Sequence, residues 1–317
     1  SSAASDVYKR QMCGSGMKAA MIAHDMLLAG THDVMVAGGM ESMTNAPYLL
    51  QKGRGGYRLG HDRIFDHMML DGLEDAYEAG RSMGTFGEDC AAKYSFTREQ
   101  QDAFATASVQ RAKAATESGA FAAEIVPVTV KTREGETVVS VDEGPGKVKL
   151  EKIATLKPAF KKDGTITAAS SSSINDGAAA LVMMRESTAK KLGCKPVARI
   201  VSHATHAQEP EWFATAPLGA TQKALTKAGW QVGDVQLWEI NEAFAVVPMA
   251  LMKELDLPHD KVNVNGGACA LGHPIGASGA RIMVTLIHAL KARGLTKGLA
   301  TLCIGGGEAT AVALELV

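Results

Sequence analysis

SGMKAAMIAHDMLLAGTHDVMVAGGME runs from Ser15 to Glu41, and SGARIMVTLIHALKARGLTKGLATLCIGGGE runs from Ser278 to Glu308. Each opens on S-G-x-[K/R], continues through good helix formers, crosses a short apolar run and closes on G-G-x-E. The second is longer by four residues. In the first, residues 17–30 predict a helix stopped at Gly30, and 34–37 predict a strand. In the second, 280–293 predict a helix and 299–304 a strand. A self-similar helix–strand unit met twice implies a duplicated α/β domain with layered packing.

Working outward, residues 45–95 read as mixed loop, with Gly53, Gly55, Gly56 and Gly60 in it. T-R-E-Q at 97–100 fits a capping box, predicting a helix to about Ser118 and a stop at Gly119. Residues 121–168 alternate charged and β-branched positions between Gly and Pro breaks, as exposed hairpins or extended loops do. Beyond Asn175-Asp176-Gly177, residues 178–184 are a buried strand or helix and 188–192 a short helix. Strands follow at 197–202 and 235–240, and helices at 218–229 and, despite Pro248, 243–255. A Gly-rich loop fills 265–279. The excursion from about 45 to 174 is then an insertion into the first unit.

The 317 residues are 46% hydrophobic and 21% charged, which excludes a disordered chain. Lys plus Arg is 33 against 34 for Asp plus Glu, so no basic field exists to attract nucleic acid or an anionic membrane. No run of apolar residues is long enough for a membrane span. The five cysteines, Cys13, Cys90, Cys194, Cys269 and Cys303, form no C-x-x-C pair; a reducing, cytoplasmic compartment is the natural reading. Ser1 to Gln11 lack an apolar middle region and any periodicity, and read as foreign or disordered sequence at a truncation point.

Four positions could carry chemistry. Cys13 precedes Gly14-Ser15-Gly16 and a helix, where unpaired N–H groups and the helix dipole favour thiolate; a buried structural cysteine would occupy the same place. Cys303 ends a strand at a glycine turn, where open α/β sheets place ligands, although a core cysteine fits there too. His273, before Pro274 and a helix, could polarise a thiol or a carbonyl, or simply be bonded within a turn. Asn241 follows the 235–240 strand, and its amide could hold a water or ligand oxygen, or cap the next helix.

Together these motifs resemble the thiolase family. MCGSGMKAA around Cys13, VMVAGGMESMTNAPY (34–48), INEAFA (240–245), NGGACALGHPIGASGAR (265–281) and CIGGG (303–307) look like thiolase signatures, in the family's order. FKKDGTITAASSSSINDGAAA (160–180) is similar to the segment lining the coenzyme A channel. The resemblance covers residues 12–317, and within the family it is strongest to the short-chain acetyl-CoA acetyltransferases. It implies an α/β fold of two thiolase-like duplicated domains, layered α-β-α-β-α, with an inserted loop subdomain. The expected parts are 12–44 plus 175–195 for the N-terminal domain, 45–174 for the loop subdomain and 196–317 for the C-terminal domain.

The resemblance also implies roles. Cys13 matches the acyl-accepting nucleophile, His273 its activator, Cys303 the acid/base at the substrate α-carbon, and Asn241 the anchor of an oxyanion-hole water. The N–H groups of Cys13 and Gly305 match a second oxyanion hole, and His273 contributes to the first. Ser172 is similar to a serine touching the coenzyme A arm. Phe160, Phe213, Ala243, Phe244 and Met83 match positions that line the pocket.

The implied partners are acetyl-CoA, acetoacetyl-CoA and CoA, as substrates rather than cofactors, with no metal and a homotetrameric dimer of dimers. A longer-chain 3-ketoacyl-CoA thiolase and a non-catalytic thiolase-like lipid-binding protein are the alternatives. Three features depart from the family. Strands expected upstream of Cys13 are missing, Ser82 stands where many short-chain members carry His, and Phe213 replaces a Met of some bacterial members. Lys147, Lys149 and Lys152 suit a solvated face or the phosphates of coenzyme A. His203-x-x-His206 has no third metal ligand nearby in sequence and reads as a surface loop.

Overall fold

A computed structural model of the chain describes residues 11–133 and 135–317. The reading of residues 1–10 as foreign lies outside the described residues. Gln11, grouped with them, is buried, and its Nε2 donates to Glu308 Oε2 at 3.3 Å.

The helices are α1 (Ser15–Leu28), α2 (Met83–Tyr94), α3 (Arg98–Glu117), α4 (Glu143–Lys147), α5 (Glu186–Leu192), α6 (Ala216–Ala228), α7 (Val246–Leu255), α8 (Ala268–Leu271) and α9 (Ile275–Arg293). The strands are β1 (Val34–Glu41), β2 (Tyr48–Leu49), β3 (Phe65–Asp66), β4 (Val128–Thr132), β5 (Gly135–Val139), β6 (Gly177–Met184), β7 (Ala198–Ala207), β8 (Leu237–Ile240), β9 (Lys297–Ile304) and β10 (Glu308–Leu316). The expected capping box is present, with Thr97 and Gln100 bonding reciprocally at the start of α3.

Two sheets sandwich α1 and α9. One is β7-β10-β9-β8, antiparallel except for the parallel β8/β9 pair; the other is the antiparallel pair β1/β6. Alternation along β10 sets the layers. Ala309, Ala311 and Ala313 join the core made with α6, Trp238 and Leu251. Val312 and Leu314 join the opposite core, made with Met17, Met21, Ile282 and Leu286 of α1 and α9. Met35, Leu181 and Met183 close that inner core from the β1/β6 side. On the other face of β1/β6, Val36, Met40 and Val182 are exposed among the described residues. No helix among the described residues is long and apolar enough to cross a membrane.

Glycine lets the two units touch. A Cβ on Gly279 of α9 would lie 2.5 Å from the Met17 backbone nitrogen, and one on Gly16 of α1 would lie 2.9 Å from Gly276 O. Each S-G motif therefore marks the place where one central helix crosses the other.

Candidate active site

Cys13 sits in the tight turn Met12–Gly14 that leads into α1. Met12 holds φ at 33°, a left-handed conformation that a side chain rarely adopts and that functional sites often retain. Gly14 lets β9 approach, because a Cβ there would meet Ile304 Cδ1 at 2.3 Å. Cys303, near the end of β9, is buried, and Gly305 follows in the turn between β9 and β10. The N–H groups of Cys13 and Gly305 face the Cys13 sulfur.

Burial nevertheless dominates the Cys13 thiol. It is pushed up to about 11, with the two N–H groups pulling the other way and Glu41 adding a little to the rise. The helix-start expectation of a ready thiolate is thus corrected, since desolvation of the charged form outweighs the N–H dipoles. Burial, then the proximity of Cys13, raises Cys303 well above its ordinary range. Both thiols are protonated at neutral pH.

His273 is held from both sides. Its main-chain N–H donates to Ser173 O at 3.0 Å, and its ring Nδ1 lies 2.5 Å from Ser278 Oγ. The Ser278 hydroxyl donates to Pro274 O at 2.9 Å, so it accepts from Nδ1–H and fixes the tautomer. Nε2 is then a bare lone pair, buried with no hydrogen-bond partner. Burial, then the charge of Arg281, lowers this imidazole to about 4, so it is neutral.

Asn241 leaves β8 with its N–H donating to Thr301 O at 3.0 Å, and its side-chain nitrogen lies 3.4 Å from His273 Nδ1. Asn241 Oδ1 is also buried without a partner. Two bare acceptors in one buried place can take a proton and hold a water.

The apolar positions converge as expected. Met83, Phe213, Ala243 and Phe244 pack in one cluster with Cys303, and Phe160 lies against it. Phe160 and Phe244 meet edge to face at 5.6 Å, and Phe213 and Phe244 at 6.4 Å. Ser172 is placed beside them by its N–H bond to Ala243 O at 3.0 Å. Ser82 accepts from Gly84 N at 3.3 Å, capping α2 so that Met83 starts the helix at the pocket. Lys147 pairs with Glu143, which fits a solvated face.

Two supports escaped the sequence reading. Ser278 stands in the repeat and in the 265–281 signature with no role attached to it. Glu242, fully buried beside Asn241, accepts from Ser108 Oγ at 2.7 Å, Asn263 Nδ2 at 2.8 Å and the Cys269 N–H at 2.9 Å. No local pattern announces those partners, because they come from three separate segments.

A model of the thiolase N-terminal domain matches residues 3–187, and one of the thiolase C-terminal domain matches 194–316. The first match begins within the stretch expected to be foreign. The chain is 52% identical over 307 residues to acetyl-CoA acetyltransferase of Escherichia coli (strain K12), covering 96% of this chain and 78% of that protein. It superposes on the Bacillus anthracis acetyl-CoA acetyltransferase with a TM-score of 0.93 at 46% identity, covering 97% of this chain and 78% of that one. Human mitochondrial 3-ketoacyl-CoA thiolase superposes with a TM-score of 0.92 at 39% identity, with the same shares.

Proposed function

This chain belongs to the thiolase family, and from that membership we infer that it is an acetyl-CoA C-acetyltransferase. It joins two acetyl-CoA molecules into acetoacetyl-CoA and free CoA, or runs the reverse thiolysis. The observation that supports the assignment of parts is His273, its Nε2 buried without a partner, beside Asn241, whose Oδ1 is buried without one too.

Cys13 is the nucleophile. Its thiol near 11 and an imidazole near 4 do not sustain a standing ion pair, so the proton passes to His273 Nε2 as sulfur attacks the thioester carbonyl. The N–H groups of Cys13 and Gly305 face the oxygen that gains charge, while Nε2–H and a water held on Asn241 Oδ1 are set for the thioester oxygen of the second acetyl-CoA. The CoA thiolate departs with the proton of Cys303, leaving an acetyl-cysteine at Cys13 and a thiolate at Cys303. The N–H groups of Cys13 and Gly305 then hold the acetyl oxygen. The Cys303 thiolate takes the α-proton of the second acetyl-CoA, the enolate carbon attacks the acetyl carbonyl, and the Cys13 sulfur departs and recovers its proton from His273 Nε2. The aromatic wall of Phe160, Phe213 and Phe244 supports a short acyl group, and Ser172 faces the coenzyme A arm. The reading needs no metal or cofactor, and includes a cytoplasmic dimer of dimers.

Intact-mass measurement after mixing with acetyl-CoA is expected to show one added acetyl group, absent in Cys13→Ser. Cys303→Ala keeps the adduct but loses deuterium exchange at the acetyl-CoA α-carbon. An adduct mapped to Cys303 or Cys90 overturns the assignment. Faster thiolysis of long 3-ketoacyl-CoA than of acetoacetyl-CoA selects the longer-chain alternative.

A further inference from the structure

We propose that His24, Asp25 and His203 form a binding site for one divalent transition-metal cation of the zinc type, away from the catalytic centre. His24 and Asp25 stand near the end of α1, and His203 lies on β7, an edge strand. One atom, Asp25 Oδ1, lies 2.8 Å from His203 Nε2 and 3.4 Å from His24 Nδ1. The three donor atoms all lie within 4.8 Å of one another. Zinc takes imidazole and carboxylate donors at about 2.0–2.2 Å, so its ligands stand roughly 3–4 Å apart. Small side-chain rotations close this trio to that spacing.

The sequence reading paired His203 with His206 and found no third ligand. The strand explains why that pairing fails: positions three apart point to opposite faces. His206 turns toward α6, with its ring 3.0 Å from Lys223 Nζ and 3.1 Å from Gln208 Oε1. His203 turns toward α1 and meets His24 edge to face, ring centroids 5.1 Å apart. The missing donors thus come from a segment nearly 180 positions away.

The side chains are accessible in the graded way a surface ion site requires. His203 keeps 14% of its side-chain surface, His24 21% and Asp25 62%, so water can complete the coordination sphere. Two imidazoles with one carboxylate favour zinc, copper or nickel over magnesium or calcium. Of the neighbouring cations, Lys227 donates to the His203 carbonyl at 3.0 Å, where its charge also reaches the imidazole, and Lys18 donates to Thr205 Oγ1 at 3.2 Å. A bound ion would tie the helix that begins beside Cys13 to an edge strand of the large sheet.

The test is calorimetric titration of the whole chain with zinc chloride alone, its thiols first blocked with iodoacetamide. One ion per chain is expected, with affinity at least tenfold weaker in His203→Gln and in His24→Gln. Zinc is expected to raise the melting temperature of the wild type by several degrees, reversibly on chelation, and to leave both variants unmoved. His24→Gln carries the test if His203→Gln proves unfolded. Absence of saturable binding, or equal affinity in the folded variants, overturns the proposal and leaves a hydrogen-bonded surface trio.

Discussion

β1/β6 and β9/β10 are laid out alike, each a helix leading into an antiparallel pair, but they are joined very differently. Residues 42–176 separate β1 from β6, whereas residues 305–307 alone join β9 to β10. The short connection is itself part of the site: Gly306 and Gly307 take positive φ, and Gly305 presents its N–H to Cys13. The long connection supplies lining instead, in Met83, Phe160 and Ser172. Packing follows the same division. The β9/β10 pair is covered on both faces, while β1/β6 is covered on one. A repeated scaffold has thus given one copy the turn that faces Cys13 and the other the pocket wall.

The hardest way to break the comparison is at the crossing of the two copies. Gly279→Val places a side chain 2.5 Å from the Met17 backbone, where neither helix can yield. A loss of more than about 3 kcal/mol is expected, read as failure to give a cooperative melt.

A second test separates the copies by pH. Glu239 of β8 is fully buried, with Arg281 Nη1 3.9 Å away, too far to offset desolvation, and its carboxyl is raised from 4.5 to about 8. Burial likewise raises Glu124 to about 7. A carboxyl whose folded value lies above its unfolded one favours the fold at low pH. Stability is therefore expected to fall as pH rises from about 4.5 through about 8. Glu239→Gln should flatten the upper part of that fall, and denaturant midpoints across the range read it directly.

The smallest effect belongs to the bare face. Val36→Lys and Val182→Lys should change stability by no more than about 0.5 kcal/mol while reducing self-association in size-exclusion chromatography. Loss of the fold in either variant would show that this face is packed as tightly as its counterpart.

The sequence made most elements legible where helix formers or β-branched runs were bounded by glycine. It misled where small residues served packing. The α2 stretch fell within the 45–95 span read as mixed loop, yet its Gly84 serves packing, since a Cβ there would strike the Phe160 ring at 2.2 Å. β10 went unread because Ala-Thr-Ala-Val-Ala has no clear alternation; it lies inside the sheet, buried on both faces. The paired glycines of the two repeats also differ in meaning. Gly39 clears Gly276 O for the crossing, whereas Gly306 and Gly307 make a turn. Cys13, His273, Cys303 and Asn241 were legible because each stands at an element boundary. Ser278, Glu242 and the His24 partnership were not, since their partners meet them only in space.

One bond described above ties chemistry to mechanics. Ser278 can accept from His273 only while its own hydrogen points back to Pro274 across the first turn of α9. That turn works as a ratchet pawl: wound, it holds the imidazole proton on one nitrogen and leaves the other bare. Unwinding a single turn releases the pawl, so heat or denaturant should silence the site while the sheets beneath it are still intact.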